Sequence, residues 1–139
     1  MKRLIFAGAL LLTLMRSAPL AAQQPGDDPL ARLLFPPELV MQHQADIGLK
    51  PEQRTAITRA IGELQGQALD VQWRMQDAAK LLAGLLARPV VDQTAALTQV
   101  DAVLNLEREI KRAQLTLLIR IKNTLTAEQQ GKLEQFRNN

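Results

Sequence analysis

From Pro51 to Pro89 no proline interrupts the chain, and Ile57, Ile61, Leu64, Ala68, Val71, Met75, Ala78, Leu82 and Leu85 recur at spacings of four and three. That period holds an apolar seam on one side of an α-helix for about eight turns. A strand, with its period of two, would send such residues to both faces. The segment therefore demands a long helix and something for its seam to pack on. Arg88-Pro89 breaks the pattern and Asp92 is a good N-cap. A second seam of Val103, Leu106, Ile110, Ala113 and Leu117, widened by Val100, Leu104, Leu118 and Ile121, predicts another helix over residues 93–123.

Short helices are expected at both ends. Pro36-Pro37-Glu38 opens one that runs to about Asp46 and stops at Gly48. The last starts at Leu125-Thr126 and carries Leu133 and Phe136. Its opening, Leu125-Thr126-Ala127-Glu128-Gln129, echoes Leu49-Lys50-Pro51-Glu52-Gln53 at the start of the first long helix. Thr126 and Gln129 form a capping box: the Thr126 hydroxyl accepts from the Gln129 backbone N–H, and the Gln129 side chain reaches back to the N-cap backbone. In the first copy Lys50 cannot accept a hydrogen bond, although Pro51 suits the first helical position. Arg54 and Gln130 sit where a hydrophobic staple needs an apolar residue, so Leu49 and Leu125 are expected to anchor loops in the core. No strand signal is present.

The fold class is thus all-α, an elongated four-helix hairpin in the order short-long-long-short. A helix from Pro51 to about Ala87 is roughly 55 Å long, against a radius of gyration of about 13 Å for a compact domain of this size. So thin a hairpin buries little surface by itself. A second copy should cover part of it, giving a homodimer.

Met1-Lys2-Arg3, an apolar run over residues 4–15 and Leu20-Ala21-Ala22 before Gln23 read as a secretory signal peptide. The expected organisation is a leader at 1–22, a flexible N-terminal tail at 23–34 and one helical domain at 35–139. An uncleaved anchor is the alternative, though the run is short for a span. The chain has no cysteine, which excludes a lipoprotein anchor, disulfides and thiolate metal sites. No second apolar run follows, so no membrane insertion is expected after cleavage. The formal charge of +3 belongs to the leader: Lys2, Arg3 and Arg16 account for three of 17 basic residues, and the remaining 14 balance 14 acidic ones. With Phe35, Trp73 and Phe136 as its only aromatics, the mature chain has no stacking platform for bases, and nucleic-acid binding is excluded.

Catalytic residue types are scarce. The single serine, Ser17, lies in the leader, and His43 is the only histidine. Neither a serine nor a cysteine triad can be assembled. No phosphate-binding glycine loop occurs. An enzyme is not expected, nor is a cofactor. Glu107 and Glu109 among Arg108, Lys111 and Arg112 read as a solvated face with i,i+3 and i,i+4 ion pairs. Met41 and His43, with Asp46 nearby, are the candidate metal ligands. A Met–His pair suits copper or nickel, yet two ligands make a weak site.

At 100° per residue, Trp73 points opposite the seam, with Gly62, Gly66, Leu69 and Gly84 on the same side. Arg59, Asp70, Arg74, Asp77 and Lys80 are interleaved with them. Helix glycines cost about 1 kcal/mol each relative to alanine, which bending or close packing has to offset. Either a short helix or a partner hairpin covers this face, or it is a contact surface. Arg59, Gly62, Gly66, Leu69, Trp73, Arg74 and Lys80 are accordingly the candidate client or dimer surface.

The Leu-Thr-x-x-Gln motif, matched fully by Leu125, Thr126 and Gln129 and partly by Leu49 and Gln53, and the segment Leu34-Phe35-Pro36-Pro37-Glu38-Leu39-Val40 resemble the Spy/CpxP superfamily of periplasmic proteins over residues 34–137. The resemblance implies a four-helix hairpin that dimerises antiparallel into a cradle. Its chaperone members hold unfolded or misfolded envelope proteins without ATP, and others bind the periplasmic domain of a sensor kinase. A sister branch of heavy-metal sensors is implied to place its ligands near Val40, Gln44, Ile61, Leu117 and Ile121, none of them a good ligand here. The expected function is an ATP-independent periplasmic chaperone or envelope stress-response protein. The alternative is a signalling accessory or heavy-metal-resistance sensor-type protein that binds a membrane sensor.

Overall fold

The computed structural model describes residues 30–138, so the expected leader and residues 23–29 of the expected tail lie outside the described residues. A 3-10 turn at Ala31–Leu33 precedes four α-helices: α1 (Pro37–Gln42), α2 (Pro51–Leu86), α3 (Gln93–Thr124) and α4 (Ala127–Arg137). The described residues contain no strand. The architecture is the expected all-α hairpin in short-long-long-short order. At 1.5 Å per residue, α2 is about 54 Å long and α3 about 48 Å.

Local chemistry sets the helix ends. Asp92 caps α3, its Oδ1 accepting from the Ala95 N–H at 3.0 Å. Pro51 occupies the first position of α2 behind Lys50, whose backbone is extended. The first short helix is shorter than the sequence suggests. It stops at Gln42 because His43 leaves helical geometry at φ −106°, ψ 20°, where its ring is drawn flat onto Phe136 of α4. The chain then closes a Schellman stop: Leu49 N–H donates to Gln44 O at 2.9 Å and Gly48 N–H to Ala45 O at 3.1 Å. Gly48 supplies the φ of +63° that this motif requires.

The long helices run antiparallel, as three contacts show. Gln99 Nε2 donates to the Ala78 carbonyl, Val71 packs with Leu106, and Ile57 shares a cluster with Leu117. Every member of the α2 seam is buried or half-buried. On α3 the exception is Leu104, which is 49% exposed. One residue beyond Val103, it has turned about 100° away from the partner helix.

Burial is concentrated at one end. Phe35, Val40, Ile47, Ile57, Ala60, Leu117, Ile121, Leu125 and Leu133 form a base core drawn from all four helices and their connections. Towards the tip the buried cluster shrinks to Val71, Ala78 and Leu106, with Met75, Val103 and Ile110 against them, and Ala96 is buried near the turn. The segment before α1 is tied to the base. Arg137 donates to the Arg32 and Leu34 carbonyls, Lys122 donates to Leu33 O at 2.7 Å, and both cations lie over the Phe35 ring.

Truncation should register this gradient. Leu133→Ala, in the fully buried base, is expected to lower the unfolding free energy in urea by about 2–5 kcal/mol. Leu82→Ala, half-buried near the tip, should cost less than half as much. Equal losses would contradict a core concentrated at the base.

Candidate functional site

The two echoing motifs meet. Gln53 and Gln129 lie amide to amide, Gln53 Nε2 donating to Gln129 Oε1 at 2.8 Å and Gln129 Nε2 to Gln53 Oε1 at 3.0 Å. Each amide spends its remaining capacity in the same way. Gln53 Oε1 accepts from the Lys50 N–H at 3.0 Å and its Nε2 donates to Thr124 O at 2.7 Å. Gln129 Oε1 accepts from the Thr126 N–H at 2.9 Å and its Nε2 donates to Gly48 O at 3.3 Å. Both side chains therefore make all four hydrogen bonds open to an amide, in a pattern with pseudo-twofold symmetry.

The Thr126 capping box is complete, with the Gln129 N–H donating to Oγ1 at 3.2 Å. In the first copy only the return bond from Lys50 N–H to Gln53 forms. Leu125 is buried, and Leu49 packs against the base core. Leu49, Gln53, Leu125, Thr126 and Gln129 thus make one structural clasp.

The second group of candidates lies elsewhere, roughly 30 Å from Gln53 to Trp73 along α2. Trp73 is 62% exposed and Leu69 54%. Arg59, Gly62, Gly66 and Lys80 are exposed around them. Neither short helix covers this face. A Cβ built at Gly62, Gly66 or Gly84 meets nothing within 4 Å, so no close packing inside the protomer offsets these glycines.

Arg74, the remaining member of the group, also reaches across the hairpin. Its guanidinium grips Glu109 of α3 at 2.6 and 3.2 Å and Asp70 at 2.9 Å. The hydrogen bond to Glu109 first, then that to Asp70, raises its pKa above the usual arginine value. Arg74 is a cross-helix tie. Glu109 consequently does not join the local ion pairs expected on α3: Arg108, Lys111 and Arg112 have no carboxylate partner among the described residues.

The candidate metal ligands do not assemble a site. His43 stacks on Phe136 with centroids 4.0 Å apart and binds Asp46 through Nδ1 at 3.0 Å, while Met41 is exposed. Among the described residues no group of three or more His, Cys, Asp or Glu side chains can hold a metal ion. Val40, Leu117 and Ile121 are brought together, with Ile61 beside them, as hydrocarbon in the base core. Gln44 is engaged by Arg54 at 2.7 Å. Apolar side chains fill the position that the resemblance implies for metal ligands, and the donor chemistry does not fit one.

Two further contributors carry little signal in the sequence. Gln130, which stands where a hydrophobic staple would need an apolar residue, donates to the Lys122 and Leu125 carbonyls and covers the end of α3. Arg120 pairs with Glu63 across the hairpin.

Together the fold and its surfaces define a class: an all-helical hairpin protein, clasped at its base and carrying exposed apolar faces along its length. Residues 3–132 match the heavy-metal resistance family, and the chain belongs to it. That family is related to the Spy/CpxP-like all-helical periplasmic proteins, and its members are typically periplasmic. Neither a curated relative nor a solved structure matches the chain. No helix among the described residues is long and apolar enough to cross a membrane.

Removing one clasp amide strands its partner and two backbone groups. Gln53→Ala and Gln129→Ala should each lower stability by about 2–4 kcal/mol. The double variant should lose less than the sum, leaving a coupling of about 1 kcal/mol or more in a urea double-mutant cycle. Strict additivity would mean that the amides do not act together.

Proposed function

We propose that the mature chain is a non-enzymatic periplasmic binding protein, exported with a leader cleaved near residue 22, that acts as a homodimer and holds unfolded or misfolded envelope proteins without ATP. The observation that carries this reading is the outward face of α2. There Leu69 and Trp73 stand exposed beside Gly62 and Gly66, whose missing side chains nothing in the protomer uses. Glycine retained against helix propensity, with open space above it, suits a surface approached closely by another chain. Modest apolar area among mixed charges suits weak, reversible binding to many partly folded segments; a large bare patch would aggregate.

Membership of the heavy-metal resistance family favours a second reading, a signalling accessory bound to the periplasmic domain of a membrane sensor kinase. Such an accessory binds one partner tightly and stoichiometrically. A chaperone protects unrelated clients.

The separating experiment is light scattering of an unrelated aggregating client with residues 23–139 added, without ATP and with EDTA present. Suppression at near-stoichiometric dimer is expected, and a folded dimer that suppresses nothing would move the assignment to the accessory. Trp73→Ala should weaken client binding or dimerisation by more than about 1 kcal/mol. Gly66→Ala should raise the protomer's own stability by about 0.5–1 kcal/mol yet weaken the same association. If both variants leave both associations unchanged, the α2 face is not a contact surface.

A further inference from the structure

The opposite edge of the hairpin has a different character. At 100° per residue, Leu104, Arg108, Lys111, Leu115 and Ile119 of α3 fall within about 80° of one another, on the side facing away from α2, with Arg112 at the border. All are exposed, Leu104, Leu115 and Ile119 by 49, 46 and 43%. Between Leu104 and Ile119 no carboxylate shares this face. Glu109 has been turned inward to Arg74, and Glu107, on the flank, pairs with none of the three cations. Other cations of α3 are in use, Arg120 on Glu63 and Lys122 on the Leu33 carbonyl. What remains is an unneutralised basic stripe with aliphatic residues at both ends, about 22 Å long.

We propose that this face of α3 is a docking site for an acidic amphipathic helical segment of a partner polypeptide. The charge calls for an acidic partner, and at an interface it governs orientation and encounter rate. The apolar residues recur one to three turns apart, which suits the anchors of a helix laid alongside. A membrane-surface helix needs a broad apolar face, cations confined to the other side and aromatic anchors. Here Arg108 and Lys111 lie within the same sector as the leucines, about 30° to either side of the line between them, and no aromatic residue is present, which disfavours lipid. The site is separate from the Trp73 edge and does not depend on chaperone activity.

The probe is a fluorescein-labelled 18-residue peptide with leucine at every third or fourth position and glutamate between, titrated by anisotropy into the full mature chain. A lysine-for-glutamate version serves as control. The acidic peptide should bind and the basic one should not. Arg108→Gln/Lys111→Gln should weaken binding roughly tenfold, and Leu115→Ala several-fold, with the helical circular dichroism unchanged. Emission of Trp73, the sole tryptophan, should stay constant, whereas occupation of the α2 face would shift it. The proposal is overturned by any of four results: no binding to the folded chain, binding that these variants leave intact, preferential binding to phosphatidylglycerol vesicles, or loss of self-association in the variants, which would assign the face to a second copy. The client-aggregation assay with Trp73→Ala reads the other edge, so either reading can fail without the other.

Discussion

A buried primary amide has two donors and two acceptor sites to satisfy, and water cannot serve them inside a core. Gln129 is 6% exposed, and the arrangement that satisfies it also satisfies Gln53, because each amide completes the other. Each then reaches the backbone of the opposite corner, Gln53 to Thr124 O and Gln129 to Gly48 O. The turn into α2 and the turn into α4 must therefore lie side by side. Most of the molecule follows from that. The hairpin closes at the base, both short helices fold onto it, and the largest apolar cluster collects beneath the clasp.

Away from the clasp the molecule is two helices thick, with one seam to bury and two outward faces left over. A stability gradient from base to tip results, since local opening follows the density of buried apolar contacts. The two outward edges also come to differ in charge through one cross-helix interaction. Arg74 draws Glu109 inward, which neutralises charge beside Trp73 and leaves Arg108, Lys111 and Arg112 uncompensated on α3.

Much of the fold was legible in the sequence because its determinants are local. The alternation of fours and threes from Ile57 to Leu85 specified which side of α2 is buried, and every member of that series is buried or half-buried. Asp92, and Thr126 with Gln129, marked helix starts through hydrogen bonds that span a few residues. Less was legible of the surfaces. The outward position of Trp73 followed from periodicity, but nothing in the spacing showed that Arg74 beside it also ties α2 to α3. The carboxylate–cation spacing on α3 suggested local pairs, yet a bidentate partner on the neighbouring helix outcompeted them, as expected when exposed i,i+4 pairs contribute only a few tenths of a kcal/mol.

The sequence by itself determined that this chain forms long helices with defined starts, stops and buried sides, and that residues 23–139 are charge-balanced and free of thiol chemistry. These properties depend on neighbours within one or two helical turns. Tertiary structure decided which polar groups find partners. Gln53 meets Gln129 across 76 residues and Arg74 meets Glu109 across 35, and neither pairing has a signature in the spacing of either residue. The reason is physical: a capping bond or an apolar stripe is set by helical geometry, whereas a contact between two helices exists only after both have formed and packed at a particular register.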